Sequence, residues 1–255
     1  MRGITIDGRL LGSPGVPAIC APLVARSADA LLAEARAAAA RRADLLEWRV
    51  DFFDGIADAA AVAALAPRIR EASGRLPLLF TRRSQREGGQ PIALDEDGVV
   101  ALYRAVCEAG GVSLVDFEMD SDAAHLREVR AMSRSRGIGL VLSFHDFQQT
   151  PPADALVERF AQAHRLGAEV AKLAVMPQRE EDVLALLEAT LRASRALPIP
   201  VVGMSMGGLG AASRLCGGAF GSALTFAVAG EASAPGQMPI EDVRGAIETL
   251  RRAQG

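Results

Sequence analysis

Residues 139–174 read GLVLSFHDFQQTPPADALVERFAQAHRLGAEVAKLA, and the order of elements in this stretch decides the fold. It begins with a short apolar run of strand length, Gly139–Ser143. A polar turn follows, in which Thr150 before Pro151 and Pro152 marks a helix start. Ala153–Arg165 then places Leu156, Phe160 and Ala163 at helical spacing, Gly167 ends the helix, and Glu169–Ala174 forms a second strand. A strand, a helix and another strand in that order make a unit whose two strands lie parallel beneath the helix.

Working outward, the unit recurs about every 25 to 30 residues along the chain. The candidate strands are Ala18–Leu23, Leu45–Val50, Leu76–Thr81, Ser113–Phe117, Gly139–Ser143, Glu169–Ala174, Pro200–Met204 and Ala223–Phe226. Between them the pattern predicts helices over Asp29–Arg42, Ala57–Ala72, Glu96–Glu108, Ala123–Ser135, Ala153–Arg165, Arg179–Ser194 and Ile240–Arg252, the first with Ser27 as N-cap. Only the helix after the seventh strand lacks a clear pattern. Ahead of the first strand, Ile4–Ile6 and Arg9–Leu11 around Asp7-Gly8 predict a hairpin. Strands alternating with helices, and no long linker or composition break, predict an α/β fold: one catalytic domain over residues 1–255, a (β/α)8 TIM barrel with an N-terminal β-hairpin. No GxGxxG follows the first strand, and Gly207-Gly208-Leu209-Gly210 lacks the GK[ST] of a phosphate loop, so nucleotide binding is disfavoured. The backbone N–H groups of that glycine run could still receive a carboxylate.

Composition narrows the function. Half of the 255 residues are apolar, enough for a sizeable core, and a net charge of −3 with one Trp and one Tyr argues against nucleic acid as a partner. Cys20, Cys107 and Cys216 are far apart, so neither a disulfide framework nor a zinc site is expected. Asp7, Gly8, Arg9 and Pro14 interrupt the N-terminal stretch, which predicts a cytoplasmic address. The most membrane-like stretch, Leu197–Ala212, is broken by two prolines and four glycines, so no membrane span is expected. Of the 28 basic residues, 27 are arginine, and Lys172 is the single lysine. Where positive charge alone serves, this chain uses arginine. A lysine kept within an apolar strand has the chemistry arginine lacks, an amine able to attack a carbonyl.

In a barrel of this kind the site lies at the carboxyl ends of the strands, so charged residues there are the candidates. Glu47, Arg49 and Asp51 alternate, which predicts that all three share one face of the second strand. Arg82 and Arg83 end the third strand, and Glu87-Gly88-Gly89 beyond them has the composition of a lid. Asp116 and Glu118 alternate on the fourth. His145 follows the fifth strand, where a general acid/base would stand, whereas His125 and His164 fall within helical patterns. Arg49 and Arg214 are expected near Lys172, repelling its charge and freeing the amine.

Together Glu47-Trp-Arg-Val-Asp51, Glu87-Gly-Gly89, His145-Asp-Phe147, Lys172-Leu-Ala-Val-Met-Pro-Gln178, Met204-Ser-Met206, Ser213-Arg214-Leu215 and Ser233-Ala-Pro-Gly-Gln237 resemble the type I 3-dehydroquinate dehydratases. The resemblance runs in order and spacing from the second strand to the last loop. It implies a hydro-lyase that converts 3-dehydroquinate to 3-dehydroshikimate, the third step of the shikimate pathway to chorismate and aromatic amino acids, without metal or organic cofactor. It further implies that Lys172 forms a Schiff base with the substrate ketone, that His145 moves protons, and that Glu87 orients His145. Arg214, Ser233 and Gln237 would bind the substrate carboxylate, and Glu47, Arg49 and Arg83 its hydroxyls. A homodimer is also implied. Two positions depart from the family pattern: Arg82 beside Arg83, and Pro22 where some relatives carry a substrate-contacting serine. Residue chemistry alone leaves two alternatives, another class I Schiff-base aldolase or lyase, and a non-catalytic sensor of a hydroxy-carboxylate.

Overall fold

The computed structural model describes residues 2–13 and 15–253, so Pro14 of the N-terminal reading lies outside the described residues, as do Met1, Gln254 and Gly255. In chain order the elements are β1 (Ile4–Ile6), β2 (Arg9–Leu11), β3 (Ala18–Leu23), α1 (Ala28–Ala40), β4 (Leu45–Arg49), α2 (Ala59–Ala72), β5 (Leu78–Thr81), α3 (Glu96–Ala109), β6 (Leu114–Glu118) and α4 (Ala123–Ser135). They continue as β7 (Gly139–Asp146), α5 (Ala153–Arg165), β8 (Val170–Val175), α6 (Glu180–Ala196), β9 (Val201–Ser205), α7 (Ala211–Cys216), β10 (Leu224–Val228), β11 (Met238–Pro239) and α8 (Ile240–Ala253). The strands predicted for the barrel are all present as β3 to β10, pairing in parallel in the order β10-β3-β4-β5-β6-β7-β8-β9. β11 adds to the outer side of β10, and β1 with β2 forms the predicted antiparallel hairpin.

The circle closes between β9 and β10 more sparingly than elsewhere. One parallel bridge joins Val201 to Ser222, Ala223 N donates to Val201 O at 2.8 Å, and the Ser222 hydroxyl accepts from Gly203 N at 3.2 Å. The helix that the sequence pattern obscured is short: α7 gives way to a 3-10 turn, Gly217–Phe220, because a glycine-rich segment has little helix propensity. Ser27 stands at the N-cap of α1 as predicted, but its hydroxyl makes no capping bond; Glu34 instead reaches back to the N–H groups of Val24 and Ala25.

Strand alternation creates two cores. Outward residues such as Ile19, Leu46, Phe80, Val115 and Leu173 pack under the helices. Inward residues change character with height. At the amino end of the barrel Ala18, Leu45, Leu79, Leu114, Val141 and Val170 meet Ile4, Ile6 and Leu11 of the hairpin, which plugs the floor. Two residues further along five of these strands stand Glu47, Thr81, Asp116, Ser143 and Lys172, all buried. The apolar floor thus supports a polar layer, and the mouth lies above it.

Outside the sheet an edge-to-face aromatic series runs Phe53, Trp48, Phe80, Tyr103, Phe117, with ring centroids 5.2–5.9 Å apart. The Tyr103 hydroxyl ties α3 to the site: Tyr103 Oη accepts from Arg82 N at 3.0 Å and donates to Asp116 O at 2.6 Å. Tyr103→Phe keeps the packing but strips both backbone groups of their partner. We expect a stability loss of about 1–3 kcal/mol, read as a lower denaturant midpoint at unchanged slope.

Candidate active site

A cavity at the carboxyl end of the barrel is lined by Glu47, Arg49, Arg83, Glu87, His145, Lys172, Arg214, Ser233 and Gln237, so the residues to which the family resemblance gives roles meet in one place. Phe147, Met204, Met206 and Phe226 supply apolar wall. Register explains the convergence: Ser143 on β7 pairs with Lys172 on β8, and His145 pairs with Ala174, so His145 stands one pleat above Lys172 on the same inner face.

Lys172 is almost fully buried, and its neighbours are of the opposite sign from those expected. Nζ donates to Glu47 Oε1 at 3.2 Å and to Asp116 Oδ2 at 3.1 Å, and lies 4.7 Å from the Phe226 ring centroid. Arg49 faces elsewhere: its guanidinium grips Asp51 through Nε to Oδ1 at 2.9 Å and Nη2 to Oδ2 at 2.8 Å. Asp51 does not continue the face of β4 as predicted, because the strand ends at Arg49 and the backbone turns into a 3-10 helix, Val50–Phe52. That turn folds Asp51 back onto Arg49, and its carboxylate also accepts from Arg83 N and Gln90 N.

Arg83, not Arg82, points inward. Its guanidinium donates to Asp116 at 2.7 Å, Ser143 Oγ at 2.8 Å and Glu118 at 3.2 Å, and lies 3.6 Å from Glu87. Arg82 turns outward to Glu96. Burial would raise the Asp116 carboxyl, but Arg83, Lys172 and the Ser143 hydroxyl together bring it down to about 2.

His145 Nδ1 lies 2.9 Å from Glu87 Oε2, which also accepts from His145 N at 3.0 Å. Because Oε2 is already the acceptor of the His145 backbone N–H, it accepts from the ring as well: Nδ1 carries the hydrogen and Nε2 presents a lone pair. Burial, then the positive charges of Arg83, Lys172 and Arg49, hold the imidazole well below its ordinary value, so it is neutral. Burial pushes the Glu87 carboxyl up to about 8 against the pull of Arg83. The Glu87-Gly88-Gly89 segment is not the lid its composition predicts. A Cβ on Gly88 would meet the Phe147 ring at 2.3 Å, and one on Gly89 would lie 1.9 Å from Arg83 O, so close packing rather than movement explains these glycines.

The covering loop is 229–237. Ser233 O accepts from Arg49 Nη1 at 3.3 Å, and Pro235 O accepts from Arg214 Nη2 at 3.0 Å and from Gly207 N at 3.2 Å. Gly207 therefore spends its N–H on this loop rather than on a ligand carboxylate. Within the loop Gln237 bonds Ser233 N at 2.8 Å and Ser233 Oγ at 3.1 Å. Arg214 is the exception among the buried arginines. Its side chain lies against Met204 Sδ at 3.7 Å, its Nε has no partner, and among the described residues no carboxylate pairs with it. Burial alone lowers it to about 10. An unpaired buried cation lining a cavity is a receptor for an anion.

Asp116, Glu118 and Ser143 complete the site, although the sequence left the partners of the two carboxylates open. Glu118 accepts from Ser84 N at 2.7 Å, Ser84 Oγ at 2.6 Å and Arg83. The signal for Ser143 was its parity with His145, two residues on along one strand.

Comparison with known proteins points to one family. The family model for type I 3-dehydroquinase matches residues 19–254. The 3-dehydroquinate dehydratase of Albidiferax ferrireducens is 51% identical over 254 residues, covering 100% of this chain and 96% of the relative. The crystal structure of 3-dehydroquinate dehydratase from Geobacillus kaustophilus superposes with a TM-score of 0.95 at 46% identity, over 98% of this chain and 97% of that one. A type I 3-dehydroquinate dehydratase from Clostridium difficile, solved with covalently modified comenic acid, gives 0.93 at 35% identity, over 99% of each chain.

The environment of His145 makes a prediction about its proton. Pushed up to about 8, the Glu87 carboxyl is largely neutral where an imidazole titrates, so Glu87→Gln exchanges one neutral group for another and leaves burial and three positive neighbours in place. The imidazole of the variant should therefore still take up its proton well below the ordinary histidine range, read by NMR of the labelled histidine ring. Titration at or above the ordinary value would contradict this account of the pair.

Proposed function

The chain belongs to the type I 3-dehydroquinase family, and from that membership we propose how its residues divide the reaction. It is a hydro-lyase: it removes water from 3-dehydroquinate to give 3-dehydroshikimate in the shikimate pathway. In our reading residues 1–255 act as one catalytic domain. Lys172 Nζ attacks the ketone carbon, and loss of water leaves an iminium that withdraws electrons from the adjacent carbon. His145 Nε2 takes a proton from that carbon, forming an enamine. The electrons then expel the β-hydroxyl, which leaves as water with the proton returned from the imidazolium. Hydrolysis of the conjugated iminium releases product and restores the amine. One residue thus supplies covalent catalysis and another acid/base catalysis.

Binding follows from the remaining charges. Arg214 pairs with the substrate carboxylate, with Ser233 and Gln237 of the covering loop closing on it, while Glu47, Arg49 and Arg83 hold the ring hydroxyls. Glu87 keeps the imidazole in the tautomer that presents Nε2. The observation that carries the reading is the meeting of a buried amine, a neutral imidazole and an unpaired buried cation in one cavity. Pro22, inward on β3 beside Glu47, offers no hydroxyl to a substrate. We also read the enzyme as a cytoplasmic homodimer; the family resemblance supports the dimer, which sedimentation analysis tests directly. Among the described residues no helix is long and apolar enough to cross a membrane.

Borohydride reduction in the presence of substrate or product should add the ligand mass to Lys172 alone, located by peptide mass spectrometry. An intact enzyme that turns over 3-dehydroquinate, followed by enone absorbance, yet gains no mass would defeat the Schiff-base mechanism. Arg214→Met should raise KM roughly 10- to 100-fold with a smaller change in kcat, because it removes a charge-assisted contact made in ground and transition states alike.

A further inference from the structure

Two carboxylates touch the Lys172 nitrogen, and the chemistry of that nitrogen does not leave room for both. The starting ammonium carries three N–H bonds and one positive charge. The iminium carries one N–H bond and the same charge, since the other two hydrogens leave with the ketone oxygen as water. The need for a counter-charge is therefore unchanged through the covalent step, while the number of hydrogen bonds the nitrogen can donate falls from three to one. One carboxylate must lose its contact.

The surroundings of the two are unequal. Asp116 is fully buried, is not part of the cavity wall, and is clamped through Oδ1 by Arg83 Nη2 at 2.7 Å and Ser143 Oγ at 2.6 Å. Its Oδ2 is committed to Nζ. The backbone behind it is pinned by Tyr103, which donates to Asp116 O. Glu47 lines the cavity. It is held by one neutral donor, Thr81 Oγ1 at 3.0 Å, on the same oxygen that receives Nζ. Among the described residues Glu47 Oε2 has no protein donor. A carboxylate held by two donors besides Nζ, on a backbone pinned by Tyr103, faces a loosely held one that looks into the ligand space.

We propose that Asp116 is a catalytic residue of this enzyme, the counter-ion that keeps the single N–H of the Lys172 iminium, and that Glu47 releases the nitrogen when the iminium forms. Glu47 is then free for a substrate hydroxyl. Ser143 and Arg83 act through Asp116, fixing the direction of Oδ2. The proposal rests on the Schiff-base reading above, and it assigns the two carboxylates different kinetic signatures. Loss of Asp116 should act on iminium formation, and loss of Glu47 mainly on binding.

The experiment is borohydride trapping with saturating 3-dehydroshikimate, timed by intact mass, alongside steady-state kinetics for the parent, Asp116→Asn, Glu47→Gln and Ser143→Ala. In Asp116→Asn the trapping rate and kcat should fall by about a hundredfold or more with KM changed little. In Glu47→Gln KM should rise by about tenfold, while trapping at saturation stays within a few-fold of the parent. Trapping of Asp116→Asn at the parent rate, or its loss in Glu47→Gln alone, overturns the proposal. Should Asp116→Asn fail to fold by circular dichroism, Ser143→Ala decides. It leaves Nζ untouched but removes one of the two donors that hold Oδ1, and we expect trapping slowed by about five- to tenfold at unchanged KM; an unchanged trapping rate overturns the proposal. A parent enzyme that turns over but is never trapped defeats the underlying Schiff-base reading, an outcome distinct from either failure.

Discussion

Arg83 is the hub on which the site depends. One buried guanidinium meets Asp116 and Glu118 on β6, Ser143 on β7 and Glu87 ahead of α3. Burying a cation is costly, and burying several carboxylates is more so, but here each carboxylate has at least one donor and both Arg83 Nη groups have acceptors. The carboxylates raise the Arg83 guanidinium further above its usual range although burial alone would lower it. Around this hub the two reacting groups are set by proxy: Asp116 carries the link to Lys172, and Glu87 the link to His145. Arg83 thereby balances the charges without itself being the nucleophile or the base.

The barrel makes such a hub possible. Parallel strands at fixed register bring side chains from β4, β5, β6, β7 and β8 to one level, above an apolar floor sealed by the hairpin. Rigid strands hold the charges, and the loops add what must adapt to a ligand. The arrangement separates electrostatic order, built into the sheet, from enclosure, supplied by residues 229–237.

Much of this was legible in the sequence. Lys172 stood out because arginine fills every other basic position, and Glu47, Arg49 and His145 because their strand positions predicted inward or strand-end placement. The strand and helix pattern read correctly because apolar period and turn chemistry agree along most of the chain. The rest needed register. Asp116 and Ser143 sit 27 residues apart, and their 2.6 Å bond exists only because β6 and β7 pair with a particular offset. The sign of the charge beside Lys172 was misread for the same reason: nearness along strands does not say which neighbouring side chain reaches across. The lid was misassigned because glycines serve close packing as well as mobility, and composition does not distinguish the two.

The seam between β9 and β10 gives this circle a beginning and an end. Elsewhere adjacent strands share ladders of several residues, whereas here Val201 and Ser222 make one bridge, reinforced by a serine hydroxyl in place of a further backbone contact. The helix on that side, α7, is only six residues long, so outer packing of the join falls largely to Thr190 and Ser194 of α6 against Gly203 and Gly221. A barrel built this way has a preferred line of opening. Amide hydrogens of Val201 to Ser205 and Ala223 to Val228 would exchange with solvent ahead of those on β6 and β7, where the charge hub binds neighbouring strands together.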